Sequence, residues 1–460
     1  MKTWSEFFPQ ILAQIQNKDF FVLPRINYGT DAFLIPSPDK KDLHFTFPIQ
    51  IISGLFQEFS LSYASSAGGV HAIIEHCKKV AKNKPELGIL YGSTTSNQSR
   101  YNVNIEPCTV ASSKASIGTN LWHTDMFNTF NRDGFRLVIR GAIPFIPPTM
   151  ENSRILSSVI QKYTESLVEC ALNTPKMQIK RAWESVYDQQ DIRAGLSEKN
   201  LVCVIGDGTR PARSYTRHRS WFRVAGPKDG VHIPFLCPQE LDPIEISLKG
   251  TNKTISGLGI KKDEIFAITG SNAEGKSTLL QAIMAGEDDH APGDGRELLV
   301  TEYEGTGIDA TNIELMGANL RPFFTEIPPG MSGNPESAFG QGSGSASMAH
   351  RFNEALRKKS PYIIIDEDRS AINLLIPCFM SSPSINSLAS LIKSDRDWLS
   401  KTSIILAGSG IELIIAQADR ILKLSEHRSV FVSPLAYKKG LKNFYSSISD
   451  LITIRDKEGL

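Results

Sequence analysis

Apolar residues recur along this chain in two rhythms, and the change from one to the other divides it. In the first part, apolar positions three and four apart predict helices over about 3–17, 49–63, 152–172 and 176–194. Between them "GFRLVIRGAIPF" (134–145) and "NLVCVIGDG" (200–208) read as strands, so this part is mixed α and β. Prolines cluster in "VHIPFLCPQELDP" (231–243), and past them short apolar runs recur at 244–248, 265–269, 297–303, 361–365, 403–407 and 420–424. Separated by helical and loop stretches, these runs have the pattern of an α/β domain. The expected division is an N-terminal α/β domain over 1–235, a second domain over 236–432 and a short C-terminal tail over 433–460. Two stretches fit neither rhythm. Residues 92–120 are polar and read as loops or exposed strands, and the Gly/Ser/Pro-rich piece "IPPGMSGNPESAFGQGSGSAS" (327–347) interrupts the second part, with a linker as the plainer alternative to a functional segment.

Composition changes this picture little. At 460 residues the chain holds two or three domains with their own cores. The formal net charge is +1, so no bulk electrostatic attraction draws it to nucleic acid or acidic membranes, and such a partner requires a local patch. The apolar runs are too short to span a bilayer, and "MKTWSEFFPQIL" lacks a signal-peptide core. A cytoplasmic location without a membrane partner is expected. Cys77, Cys108, Cys170, Cys203, Cys237 and Cys378 include no C-x-x-C pair, which suggests buried thiols rather than disulfides or a zinc site.

The chemistry begins at "GSNAEGKSTLL" (270–280), which fits G-x-x-x-x-G-K-[ST]. Gly270 and Gly275 frame a turn whose backbone N–H groups, from Ser271, Asn272, Ala273, Glu274 and on into the helix at Lys276, Ser277 and Thr278, can point at phosphate oxygens. Lys276 supplies the neutralising cation and Ser277 a hydroxyl for Mg²⁺. Chance matches to this pattern in a chain of this length number on the order of 0.02. The flanks agree: "DEIFAIT" is a short apolar strand and "STLLQAIMAG" a helix closed by Gly286. Glu274 is expected to point to solvent, because beside phosphate it would be repelled.

Downstream, "YIIIDED" (362–368) is an apolar strand ending in acids, which suits Asp366 to the metal and Glu367 to a water attacking the γ-phosphorus. Ser343, Gly344 and Ser345 stand just ahead of the amphipathic stretch "ASMAHRFNEALRKK", a second anion-binding helix start. One nucleotide needs one P-loop, so the second helix start suggests a composite site shared between two subunits.

Taken together, "DGTRPAR" (207–213), "GLGI" (257–260), "GSNAEGKSTLL", "HAPGDGRELLVT" (290–301), "SGSAS" (343–347) and "IDEDRSAIN" (365–373) resemble the predicted ATPase family of the ABC class over about 200–425. A fainter likeness reaches "YGTDAFLIPSP" (28–38) and "GFRLVIRGAIPF". The resemblance implies an ABC-type P-loop domain behind a mixed α/β N-terminal domain. It also implies ATP and Mg²⁺ as ligands and a head-to-tail homodimer, with Ser370 and Ala371 in the loop facing the other subunit. The chain departs from the ABC pattern in three respects. Gly408 and Ser409 follow "TSIILA" where many ABC proteins have a switch histidine; the signature reads "SGSAS" rather than "SGGQ"; and related chains carry a further C-terminal domain whose properties are not implied here.

What the nucleotide serves is less legible. "TRPARSYTRHRSWFRV" (209–224) interleaves Arg210, Arg213, Arg217 and Arg219 with Tyr215, Trp221 and Phe222 and contains no acid, which suits phosphates and stacked bases of RNA or DNA. A solvated face, carboxylate partners elsewhere, or service to the ATP site compete with that reading. Asp294, Arg296 and Glu297 lie equally well near the nucleotide or in a structural turn, and Phe235 reads as core. Three functions stay open: an ATPase coupled to nucleic acid or protein, a nucleotide-gated scaffold with very slow hydrolysis, and a transporter energiser, which this N-terminal fusion does not resemble.

Overall fold

Two eleven-residue strands, Asp42–Ile52 and Gly134–Pro144, pair antiparallel along their full length. Alternation sends Leu43, Phe45, Phe47, Ile49 and Ile51 to one face, where they bury against helices Trp4–Leu12, Ala67–Ala81 and Met150–Leu172. Gln16–Asn17, Phe20–Val22, Phe33–Pro36 and Thr129–Asn131 complete this six-stranded antiparallel sheet. The computed structural model describes residues 3–23, 32–37, 40–59, 62–81, 83–88, 128–211 and 233–449. The polar stretch at 92–120 lies outside them.

Here the helix expected over 49–63 is corrected: the chain is strand up to Ile52 and, among the described residues of that span, α-helical only over Leu55–Glu58, with Tyr63 opening a short 3-10 turn. Its apolar spacing fits both periods, and the partner strand that decides the matter lies far along the sequence. The first helix is shorter than expected, since Gln16–Asn17 already turns back to pair with Phe20–Val22.

Helices Met150–Leu172 and Lys176–Leu196 follow, close to the spans expected. Strand Leu201–Gly206 then enters a four-stranded antiparallel sheet in the order Leu299–Thr301, Leu201–Gly206, Lys253–Lys261, Ile244–Leu248. The central sheet runs Thr306–Ile308, Tyr362–Asp366, Ser403–Ala407, Ile265–Gly270, Arg420–Ser425, Arg428–Val432, with every pair parallel except the last. Its inner strands read as unbroken apolar runs because both faces are covered. On one face helix Lys276–Ala285 is held between this sheet and the four-stranded one, with Leu279, Leu280 and Ile283 packed among Val202, Ile205, Phe266 and Ile268.

The stretch at 327–347 is not a linker. Ser332–Asn334 and Ser337–Gln341 form a small antiparallel sheet with Glu314–Ala318, and the last of its residues lead into helix Gly344–Arg357.

Candidate nucleotide site

Strand Ile265–Gly270 ends between its parallel neighbours, and the loop that follows lies at the carboxyl edge of the sheet, where α/β folds place ligands. Gly275 takes φ +99°, a left-handed conformation that glycine adopts without strain, and so turns the chain into helix Lys276–Ala285. Ala273 is left-handed as well, at φ 64°. Ser271, Asn272 and Ala273 are exposed on the outer loop, and Thr278 continues the first helical turn.

The Lys276 ammonium lies across the loop, donating to the Gly270 and Ser271 carbonyls at 2.8 Å each, which leaves one of its three hydrogens to a ligand in this geometry. The Ser277 hydroxyl donates to Asp366 Oδ1 at 3.2 Å, joining the loop to the acidic strand end. Asp366 is 9 % exposed, and burial pushes its carboxyl above the ordinary aspartate range while the Ser277 hydrogen bond pulls the other way. Glu367, one residue on, is half-buried, and its carboxylate accepts the backbone N–H groups of Ser409 at 2.5 Å and Gly410 at 3.0 Å.

A magnesium ion fits these groups. It keeps most of its water and takes one or two protein oxygens beside the phosphates, and a buried carboxylate touching a hydroxyl supplies that pair. Among the described residues no cluster of three or more His, Cys, Asp or Glu is suited to hold a metal.

Glu274 turns away from the loop, as its charge requires, but is not simply left to solvent. It accepts the backbone N–H of His427 at 2.8 Å, in the turn between Arg420–Ser425 and Arg428–Val432, and that bond holds its carboxyl below the usual glutamate range.

The second helix starts two residues earlier than expected, so Gly344 and Ser345 lie in its first turn rather than ahead of it. Ser343 caps helix Gly344–Arg357, its oxygen accepting the Ala346 N–H at 3.4 Å. The Ser345 hydroxyl donates to Asn373 Oδ1 at 2.8 Å, which ties this helix to the segment following the acidic strand. In that segment the Ser370 hydroxyl donates to the Asp366 carbonyl at 2.7 Å. Arg351 of the same helix pairs with Asp309, just past strand Thr306–Ile308.

Of the basic run, Arg210 is half-buried and its backbone N–H donates to the Gly295 carbonyl at 2.7 Å. Arg213, Arg217 and Arg219 lie outside the described residues. Arg296 forms a two-pronged pair with Asp294 at 2.6 and 2.8 Å, and Glu297 accepts the N–H groups of Gly293 and Gly295, so these charges stabilise their own turn. Phe235 is buried beside Val202 and Leu258, in the core as expected.

Sequence reasoning missed Gly410, His427 and Asn373. The first two act through backbone N–H groups, which no side-chain pattern announces; Asn373 stood within the quoted "IDEDRSAIN" and carried a signal that spacing alone could not interpret.

Among the described residues no helix is long and apolar enough to cross a membrane. The chain is 32% identical to an uncharacterised protein of Methanocaldococcus jannaschii over 461 aligned positions, covering 98% of this chain and 100% of that one. Among solved structures, a bacterial Atm1-family ABC exporter with ATP bound is similar at 13% identity and a TM-score of 0.31, over 66% of this chain and 53% of that one. CbiO1 of Clostridium perfringens, part of the ABC transporter complex cbiONQ, is similar at 17% identity and a TM-score of 0.28, over 42% of this chain and 85% of that one. The model of the ABC ATPase P-loop domain matches residues 175–447, more than half of the chain, and with the loop, acidic strand end and capped helix described above, the protein belongs to the ABC ATPase family.

Proposed function

We propose that this protein hydrolyses ATP at a composite site in a head-to-tail homodimer and couples the cycle to nucleic acid, with RNA favoured over DNA. One observation carries the hydrolytic part. One hydrogen bond, from the Ser277 hydroxyl to Asp366, joins the first turn of the P-loop helix to the end of the acidic strand, and Glu367 stands next in sequence. In this reading Lys276 and the loop N–H groups hold the terminal phosphates, and Ser277 and Asp366 hold Mg²⁺. When bound, Mg²⁺ neutralises charge on the phosphates. Glu367 accepts a proton from the water that attacks the γ-phosphorus. Ser343, Gly344 and Ser345 of a second copy close over the nucleotide, with their helix start aimed at phosphate. Ser370 and Ala371 lie at the seam.

The nucleic-acid part rests on the arginine and aromatic run in a chain of almost no net charge. ATP turnover and RNA or DNA binding, measured on the same preparations, test it. Replacing Arg213, Arg217 and Arg219 by glutamine is expected to leave basal turnover in place, to weaken binding across sequences, and to reduce the slope of log affinity against log salt by about 0.7 to 0.9 per lost phosphate contact. An unchanged salt slope would remove nucleic acid from this segment, and loss of basal turnover would assign the arginines to the ATP site. A parent that binds ATP but scarcely turns it over, with or without nucleic acid, is the outcome that belongs to a nucleotide-gated scaffold.

A further inference from the structure

Parallel pairing aligns Asp366 with Ala407, so the residues after each strand, Glu367 and Gly408, emerge side by side at the carboxyl edge of the sheet. There both oxygens of the Glu367 carboxylate are engaged. The Ser409 N–H donates to Oε2 at 2.5 Å, and the Gly410 N–H reaches Oε1 and Oε2 at 3.0 Å each. Hydrogen bonds to an ionised acceptor are short and directional, so two such donors give the carboxylate one orientation where a free glutamate would sample several. Lone pairs left over by these bonds are available to water, and Ser409 and Gly410 are themselves exposed.

The absence of side chains makes room for this arrangement. A methyl group added at Gly410 would stand 2.5 Å from Glu367 Oε1 and 3.7 Å from its carboxyl carbon, with no other heavy atom of the described residues beyond its chain neighbours within 4 Å. At Gly408 the added carbon would stand 2.6 Å from Glu367 Oε2, but also 2.7 Å from the side chain of Ile411, which is fully buried. Substitution at Gly408 therefore disturbs the core as well, whereas substitution at Gly410 meets, among the described residues, the glutamate alone.

We propose that Ser409 and Gly410 form a carboxylate cradle whose backbone N–H groups position Glu367 for proton transfer, with Gly408 leaving room for it, and that Gly410 is a positioning residue for hydrolysis. The proposal rests on the reading of Glu367 as the general base. It assigns the orienting of that base to backbone donors.

A double-mutant cycle tests it, using the full chain, its Gly410→Ala and Glu367→Gln variants and the double variant, each measured for turnover at saturating Mg-ATP and for ATP affinity. In Gly410→Ala, kcat is expected to fall at least about tenfold with the dissociation constant for ATP within about twofold, because the loop that holds the phosphates is untouched. Glu367→Gln is expected to fall about 10² to 10⁴-fold, and the double variant no further than Glu367→Gln alone. Parent-like kcat in Gly410→Ala overturns the cradle. So does a Gly410→Ala penalty that recurs in full on top of Glu367→Gln, since the loop would then act independently of the carboxylate. Loss of ATP affinity or of folding in Gly410→Ala also overturns it, because the added methyl would then be meeting more than Glu367. If Glu367→Gln turns over ATP at the parent's rate, the general-base reading fails and the cradle with it, a result distinct from an intact base beside an indifferent Gly410.

Discussion

A carboxylate at the end of an apolar strand costs the folded chain stability unless something answers its charge, and Asp366 is such a group. Burial raises its affinity for a proton above that of an unfolded aspartate, whose usual value is 3.8. The stability linked to that proton is fully present below 3.8 and is lost as pH rises through the higher folded value. Asp366→Asn is therefore expected to raise the melting temperature of the nucleotide-free protein at neutral pH, and to give no gain below about pH 3.8, where the parent is protonated in both states. Mg-ATP should invert the order, stabilising the parent more than the variant because the ligand favours a state that needs the carboxylate. Thermal scans at two pH values, with and without Mg-ATP, check this; a variant that melts below the parent at neutral pH without ligand would show that the burial cost is already answered by the protein. At this scale the candidate site was legible where the spacing named side chains that the fold brings together, as with Ser277 and Asp366. It was illegible where the contact is made by the backbone, as at Gly410 and His427.

Among the elements, helix Lys176–Leu196 makes the most consequential contacts. On one side it packs against helix Ala67–Ala81, and on the other its Arg193 reaches the far end of the P-loop helix. There the guanidinium pairs with Asp289 at 2.7 Å and donates to the Gly286 carbonyl at 3.1 Å and the Thr301 carbonyl at 3.2 Å. Gln189 clasps His290 from the same helix, donating to its carbonyl at 2.8 Å and accepting its N–H at 2.6 Å. Arg193 and Asp289 are both nearly inaccessible, so removing one leaves a buried, uncompensated charge. Arg193→Ala is expected to cost about 3–5 kcal/mol in chemical denaturation, against about 0–1 for an exposed pair such as Lys176 with Glu58. Equal costs at the two sites would contradict the structural role given to this helix. The sequence showed the helix and the inner strands because long amphipathic and apolar runs announce themselves locally. It did not show the strand ending at Ile52 or the small sheet around 332–341, because each depends on a partner strand that no local window contains.

At the scale of the whole molecule, a six-stranded antiparallel sheet with its own core precedes the two sheets that enclose the P-loop helix, and helix Lys176–Leu196 touches both parts. The capped helix start at Ser343 is proposed to read the phosphate of a nucleotide held by a second copy. Light scattering of Glu367→Gln with ATP and Mg²⁺ tests that most directly, since the variant removes the base and keeps the phosphate contacts. The expected result is a particle of about twice the 50.8 kDa protomer that retains ATP and reverts to the protomer when Mg²⁺ is chelated. A protomer mass at saturating Mg-ATP would contradict the composite site and the roles of Ser343, Gly344 and Ser345 with it.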